Sequence, residues 1–560
     1  MQSNGRLSWQ NVRRAILARS GHPKYPFDPY YGGLSPRVAV ACNPKFDSGI
    51  LSRLFPSSKI VIRAGYGRSL NRINGINQVQ VTLQGAGIGQ AVTCIGVSSS
   101  GQCLGSAGVD PSSAFRIAVD GLTAPLPGVP QTLPQPFFPG EGANAPAAGD
   151  SKLDPSLKPA RIDQVDFTIQ REVSSKTKIE FGYIGMRSHG DQMFYNLDSV
   201  PYMTTLSGQN FAQAYANLYT AVSANQAIQP QPFFETAMGG PNSAYCTGFS
   251  NCTAAVASKQ RTNLVTTQFY NLWNALNAAP GWTLGRTMVS SNPIQFTGLS
   301  MAKDWGWSNY NAGFLSLKMG DWHGMTATSN LTFSRSLGTG GVVQSGLTAP
   351  IDHWNLQYNY GINPFDIKWV YNVLTFYRPP VLKGQHGIVG RVLGGWAFAP
   401  LFTVSSGVPV RVLANGSTGE NAVPISSISP GNSAHYNVVS SGLAGSAGNP
   451  AGGGSGINLF GDPAAVYANF RRWVFGIDGK STGDGIMRGF PTWNLDMAVN
   501  KDIRIREGIG ATLSFQFVNV LNHFQPANPS LNIDSPASFG VVTGQSNTPR
   551  QMEFGLRIFF

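Results

Sequence analysis

The side chains in this 560-residue chain best suited to nucleophilic or metal chemistry are 5 Cys and 7 His. Cys94 and Cys103 lie close together in sequence, as do Cys246 and Cys252, while Cys42 stands apart. Close pairs in exposed segments of an exported protein suit local disulfides. Metal binding is the rival, but neither pair has a His at ligand spacing beside it. The histidines, His22, His189, His323, His353, His386, His435 and His523, are widely scattered, and no HExxH or other metal-ligand spacing occurs. His353, beside Asp352 and Trp354, reads as a loop residue. The Gly-rich strings Gly85–Gly89 and Gly452–Gly456 lack the spacing of a phosphate or dinucleotide loop, and no Gly-x-Ser-x-Gly elbow is present. The reading is of a protein that is not an enzyme, with no cofactor and no metal site.

Composition points to the elements that carry these residues. Charged residues make up 12% of the chain, about half the share usual in a soluble domain. Aromatics reach 11%, with 66 Gly and 37 Pro. Two readings fit: a β-rich protein whose outer face meets lipid, or a loop-rich secreted β-protein. No stretch approaches the ~20 apolar residues of a spanning helix. A closed β-barrel is then the remaining way to cross a bilayer, because hydrocarbon offers backbone groups no hydrogen bonds. The net charge of +13 is scattered, without a basic run or a nucleic-acid motif. It reads as a solvated surface that also meets anionic lipid headgroups, with no nucleic-acid partner. The first residues hold no continuous apolar core of an export signal, so the true start is expected upstream.

The last residues alternate strictly. Met552, Phe554, Leu556, Ile558 and Phe560 are apolar, and Gln551, Glu553, Gly555 and Arg557 lie between them. Period two of this kind makes a strand with one apolar and one polar face. The terminal Phe560, with Ile558, Leu556 and Phe554, resembles the signal by which outer-membrane barrels are recognised for assembly. The same alternation predicts strands over Pro36–Cys42, Lys59–Tyr66, Ala160–Arg171, Lys178–Gly185, Tyr310–Met319, Met325–Ser336, Ile367–Tyr377, Gly395–Val404, Thr492–Ile505 and Ala511–Val520. Trp369, Tyr371, Trp396 and Trp493 sit on the apolar side of that pattern. They read as a lipid-facing aromatic belt, with sugar stacking as the rival.

Short and long connections alternate between these strands, which a transmembrane barrel predicts and a soluble sandwich does not. The long ones, 68–159, 187–309, 337–366, 414–491 and 525–549, fall on one side, taken as extracellular. Both close cysteine pairs lie there, and Cys42 reads as a free thiol. Short helices are expected in Phe211–Ala227 and Ala254–Leu276, where Val265, Phe269, Leu272 and Leu276 have helical spacing. Gly121–Gly149 and Gly442–Gly456 read as coil. Asp366 and Asp496 suit pairing with a lumen-facing Arg or Lys.

Ten strings in order resemble the barrel region of TonB-dependent-receptor-like proteins of the Oar-like type. They include Leu34–Pro44, Lys59–Ser69, Val165–Val173, Ile179–Gly190 and Ser308–Gly320. Further matches are Thr328–Gly338, Val392–Val412, Trp493–Gly508, Phe515–Pro529 and Pro549–Phe560. The resemblance implies an all-β fold, an antiparallel transmembrane barrel in the bacterial outer membrane. Residues 1–35 would be an N-terminal segment or loop remnant, and 36–560 the C-terminal strands of a 22-strand-type barrel. It implies as partners outer-membrane lipid and lipopolysaccharide, the barrel-assembly machinery and an unknown solute. A TonB-type energy protein would act only through a plug, which has no counterpart here. The first strand would run from outside to inside, so the chain reads as part of a longer protein, from a truncated, split or misannotated gene. A structural or adhesive surface protein and a secreted carbohydrate-binding β-protein are the alternative functions. Mass spectrometry of non-reduced peptides is expected to link Cys94 to Cys103 and Cys246 to Cys252; free thiols at all four would overturn the pairing.

Overall fold

The computed structural model describes residues 28–44, 59–71, 151–196, 202, 204–284, 300–339, 355–410, 412–418, 424–426, 457–472, 474–478, 487–506 and 508–560. Eleven strands follow one another across a single sheet. They are β1 (Arg37–Cys42), β2 (Ile60–Leu70), β3 (Arg161–Ser174) and β4 (Thr177–Asn196). Next come β5 (Ser300–Trp322), β6 (Met325–Gly338), β7 (Trp369–Tyr377) and β8 (Trp396–Ser405). The sheet ends with β9 (Thr492–Arg506), β10 (Ile509–Val518) and β11 (Gln551–Phe559). Each pairs antiparallel with the next. All eleven strands expected from alternation are therefore present, in the expected order.

The register sorts the two faces across the whole sheet. Partners directly opposite in an antiparallel pair point to the same side. One row runs Val40, Ala64, Phe167, Tyr183, Gly313 and Phe333. From Phe333 it continues to Trp369 in β7. Farther along the sheet the same face carries Tyr371, Val404 and Trp493, and Val373, Phe402 and Leu495. It ends on Val499, Phe515 and Phe554. The opposite face carries Gln170, Glu180, Ser316, Asn330, Asn372, Thr403 and Asn494 in a row. There the Asn330 amide donates to Asn372 at 3.0 Å.

Among the described residues no layer covers the apolar face. Phe554 and Leu556 are 63% and 64% exposed, Phe333 56% and Phe181 55%. Neither of the two buried clusters contains any of them. A soluble protein rarely leaves so wide an apolar surface against water. The arrangement excludes two stacked sheets with Phe515 and Trp493 between them, since both are only half-buried and flank the same open face.

Connections alternate as expected. Two-residue links join β3 to β4, β5 to β6 and β9 to β10. His323 and Gly324 take φ of 51° and 84°, the doubly left-handed form that matches the twist of a hairpin. The long connections gather at the other end. Several strands outrun their expected limits: β4 continues to Asn196 and β5 begins at Ser300, so the hydrogen-bonded ribbon rises well beyond Gly185 and Tyr310. Above the apolar band the residues include Arg187, Ser188, His189 and Asp191. Alternation ends there because both faces meet water, while the ladder goes on. Within the described residues the sheet is open, with β1 and β11 at its edges.

The face assignment predicts opposite responses at neighbouring positions. Val373→Arg should cost roughly 2–4 kcal/mol of stability in a bilayer, the penalty for a cation at mid-depth on a lipid face. Asn372→Arg should cost much less. Denaturant unfolding from lipid vesicles reads both; equal losses would overturn the assignment.

Candidate functional site

The buried cores of the molecule lie in the long connections, not in the sheet. Between β4 and β5 the chain forms α1 (Phe211–Ser223), α2 (Pro232–Ala237), α3 (Cys252–Lys259), α4 (Arg261–Val265) and α5 (Phe269–Asn277). Asn210 and Asn251 cap α1 and α3 through their side-chain oxygens, satisfying backbone N–H groups that the first turn leaves unpaired. The helices enclose an aromatic core of Phe211, Tyr215, Phe233, Phe234, Phe269 and Trp273, all fully buried. Rings meet edge to face, as in Phe211 against Trp273 at 5.0 Å, a preferred aromatic geometry. Burial pushes the Tyr215 and Tyr245 phenols above their usual value. Helices were expected here, but Val265 is exposed and Leu264 is buried in its place. The reason is a break over Thr266–Gln268, with Thr267 at φ 56°, which resets the helical phase between α4 and α5.

A Cys246–Cys252 disulfide, with Cα atoms 4.8 Å apart, ties the turn after α2 to the start of α3. Glu235 adds to that clasp by accepting from the backbone N–H of Cys252 at 3.0 Å and of Thr253 at 2.8 Å. Cys94 and Cys103 lie outside the described residues, as do His353, Gly121–Gly149 and Gly442–Gly456. Cys42 ends β1 as an exposed, free thiol.

A second core, of Val412, Leu459, Phe460, Met487, Phe490, Leu531 and Phe539, unites the β8–β9 and β10–β11 connections. The two cores are joined. Val474 and Phe475, from the β8–β9 connection, pack into the helical core. Arg472 donates to the Thr266 carbonyl at 3.1 Å and to Asp534 at 2.5 Å, touching all three connections. Its neighbour Arg471 holds Asp478 through paired bonds of 2.6 Å, a bidentate arrangement that lifts the guanidinium above its usual pKa. The described parts of these three connections therefore form one packed platform at the end of the sheet.

Asp366 anchors that platform to the sheet. Its carboxylate is buried and accepts from Arg488 and from the backbone N–H of Ser336 at 2.5 Å. The Arg488 guanidinium also donates to the Asp366 and Gly407 carbonyls, at 3.0 and 3.1 Å. Asp366 thus meets the Arg partner that the sequence suggested for it. Asp496 instead accepts from Asn494 at 2.7 Å and from the backbone of Asn519 at 2.8 Å. Arg488 had no signal in sequence, because it sits in a two-residue strand, Met487–Arg488, far along the chain from its partner.

The four aromatic residues singled out in sequence all lie on the apolar face, toward both its ends. Trp369 and Trp493 stand where β7 and β9 leave the platform, and Tyr371 lies one alternate position further in. Trp493 stacks on His523 with centroids 3.8 Å apart. Trp396 stands at the opposite, short-turn end, where its ring stacks beside Phe398 at 6.3 Å. Phe554, Leu556 and Ile558 line the exposed edge strand and Phe560 follows it, 99% exposed. No group of metal-ligating residues exists among the described residues. No helix there is long and apolar enough to cross a membrane.

Comparison with known proteins gives a concordant result. A family model described as "Outer membrane beta barrel domain" matches residues 2–553. Among curated proteins none matches. Solved structures that are similar include a copper transporter, OprC, at 8% identity and a TM-score of 0.30, covering 90% of this chain and 37% of that one. The FrpB iron transporter from Neisseria meningitidis is similar at 8% identity and a TM-score of 0.32, covering 93% and 38%. The siderophore receptor PirA from Acinetobacter baumannii is similar at 8% identity and a TM-score of 0.33, covering 94% and 41%. The chain thus spans about two fifths of the length of these structures.

Removing one partner of the Asp366–Arg488 pair should loosen the platform. Arg488→Met leaves a buried carboxylate without its cation, a loss of roughly 3–5 kcal/mol for a buried pair. Limited proteolysis should then cut between β8 and β9 much faster than in the parent; an unchanged cutting rate would count against the anchor.

Proposed function

The chain belongs to the outer membrane beta barrel domain family, and from that membership we propose that it supplies wall and extracellular loops of a TonB-dependent-transporter-like barrel. The observation that supports this most is the apolar face, continuous in register over eleven strands and left uncovered by the described residues. Its place is the bacterial outer membrane. Hydrocarbon would meet the apolar row, and water the row of Gln170, Ser316, Asn330, Asn372 and Asn494. In this reading Trp369, Tyr371, Trp493 and Trp396 form the interfacial belt, where amphipathic rings are favoured.

The terminal strand, with Phe554, Leu556, Ile558 and Phe560 unpaired along its outer edge, is the candidate contact for the assembly machinery. Outer-membrane lipid and lipopolysaccharide are the proposed surroundings. The solute is unknown, and connections 68–159 and 187–309 are the proposed contacts for it, on size and position. Coupling to a TonB-type energy protein would run through a plug, which none of the described residues supplies. No reaction is proposed for the chain.

The packed platform supports a second reading, a structural or adhesive surface protein. Two apolar cores and a disulfide make the described parts of three long connections a firm body, as a partner-binding surface needs. Cell fractionation tests what both readings share. A tagged chain should remain with the outer membrane after carbonate or urea washing. Release into the soluble periplasm or the medium would overturn both and favour a secreted β-protein.

A further inference from the structure

At the short-turn end of the sheet, one link is longer than the tight turns and is described throughout. Residues 378–395 join β7 to β8 and include the helix α6 (Gly387–Leu393). This link is fixed in place yet shows its apolar side chains to the outside. Ile388 is 83% exposed, Val389 64%, and Val392 and Leu393 58% each; Val381 and Leu382 are exposed as well.

One polar side chain of the link, Gln385, faces the sheet. Gln385 is buried, and its side chain donates to the Asp502 carbonyl at 2.7 Å and accepts from the Arg504 N–H at 2.8 Å. Gly390 is buried against the Gln385 backbone, where an added Cβ would come within 2.8 Å. An ordinary surface loop would turn these groups to water and its valines inward. Here the sense is reversed.

The helix also lies on a definite side of the sheet. Its C-terminal carbonyls are capped by two residues of the apolar face, Trp396 and Lys501, which pair across β8 and β9. The Trp396 indole N–H donates to the Val392 carbonyl at 2.9 Å. The Lys501 ammonium donates to the same carbonyl at 3.1 Å, and to that of Gly394. A cation at a helix C-terminus is favourably placed, which accounts for a buried lysine in an otherwise apolar row. The exposed patch is thus continuous with the face that meets hydrocarbon. Around it stand Arg378, Lys383, His386 and Arg391, with no Asp or Glu in residues 378–395.

We propose that residues 378–395 form an interfacial lipid anchor, seated in the leaflet at the short-turn end of the wall. Ile388, Val389, Val392 and Leu393 insert among the acyl chains, and Lys383 and Arg391 meet anionic phospholipid headgroups. Apolar area and basic charge act together in such segments. The anchor fixes the depth of β7 and β8 in the bilayer. It rests on the membrane reading above, and the test separates the two.

The full chain is refolded into vesicles of phosphatidylethanolamine and phosphatidylglycerol. An environment-sensitive fluorescent amino acid replaces Val389, Leu315 or Ser538 in separate preparations. Leu315 is on the apolar face in mid-strand and Ser538 on the platform. Brominated acyl chains should quench position 315, and iodide position 538. Position 389 is expected to show blue-shifted emission, quenching by lipids brominated near the headgroup, and resistance to iodide. Exchanging phosphatidylglycerol for phosphatidylcholine should lower lipid quenching at 389 and leave 315 unchanged. Iodide quenching at 389 overturns the anchor, and shielding from both quenchers shows that protein covers the helix and overturns it too. Loss of lipid quenching at 315 overturns the membrane reading itself.

Discussion

A peptide group in hydrocarbon has no water to bond, so every N–H and C=O within the wall must find a partner in another strand. The sheet answers this by continuity of register. Between its two edge strands, each strand takes its bonds from the strand before and passes the remainder to the strand after. The sorting of side chains follows from the same ladder. A slip of one residue at any seam would send Phe515 or Val373 to the wet side and Gln516 or Asn372 into lipid. Tight hairpins such as His323–Gly324 hold the register at one end, and the platform holds it at the other.

The division of labour between wall and loops is unlike that of a soluble domain. The wall buries little against itself, and its apolar residues depend on lipid for cover. Hydrophobic packing within the protein is concentrated in the long connections, around Phe211 and Trp273 on one side and Phe460 and Phe539 on the other. Charged and amide groups then bind these bodies to each other and to the sheet, through Arg472, Asp478, Asp366 and Arg488. Only 12% of the chain is charged, and a visible part of that small share is spent at these joints.

The sheet was legible in sequence because period two is a local signal that each strand carries alone. Trp493, Leu495, Met497 and Val499 betray both a strand and its lipid side without reference to any neighbour. Strand ends were less legible for a related reason. Between Arg187 and Asn196 the ladder continues but the contrast between faces is gone. The helical unit was half legible: the periodicity of Phe269, Leu272 and Leu276 gave the element, while the left-handed Thr267 moved Leu264 into the position assigned to Val265. The joints were not legible. Asp366 and Arg488 are far apart along the chain, as are Arg472 and Thr266, and neither pair belongs to a motif. The orientation of residues 378–395 was likewise hidden, because it depends on Gln385 meeting the backbone of β9.

The described strands that follow one another across the sheet number eleven, an odd number, and in an alternating sheet that has a geometric result. Counting from β1, the chain direction reverses at each step, so β1 and β11 point the same way. If these two edges met directly, the join would be a parallel one, with slanted bonds, in a wall otherwise antiparallel. To keep every join antiparallel, an odd number of further strands must stand between them, whatever molecule provides them. Parity alone therefore sorts the ways in which a sheet of these described strands can close.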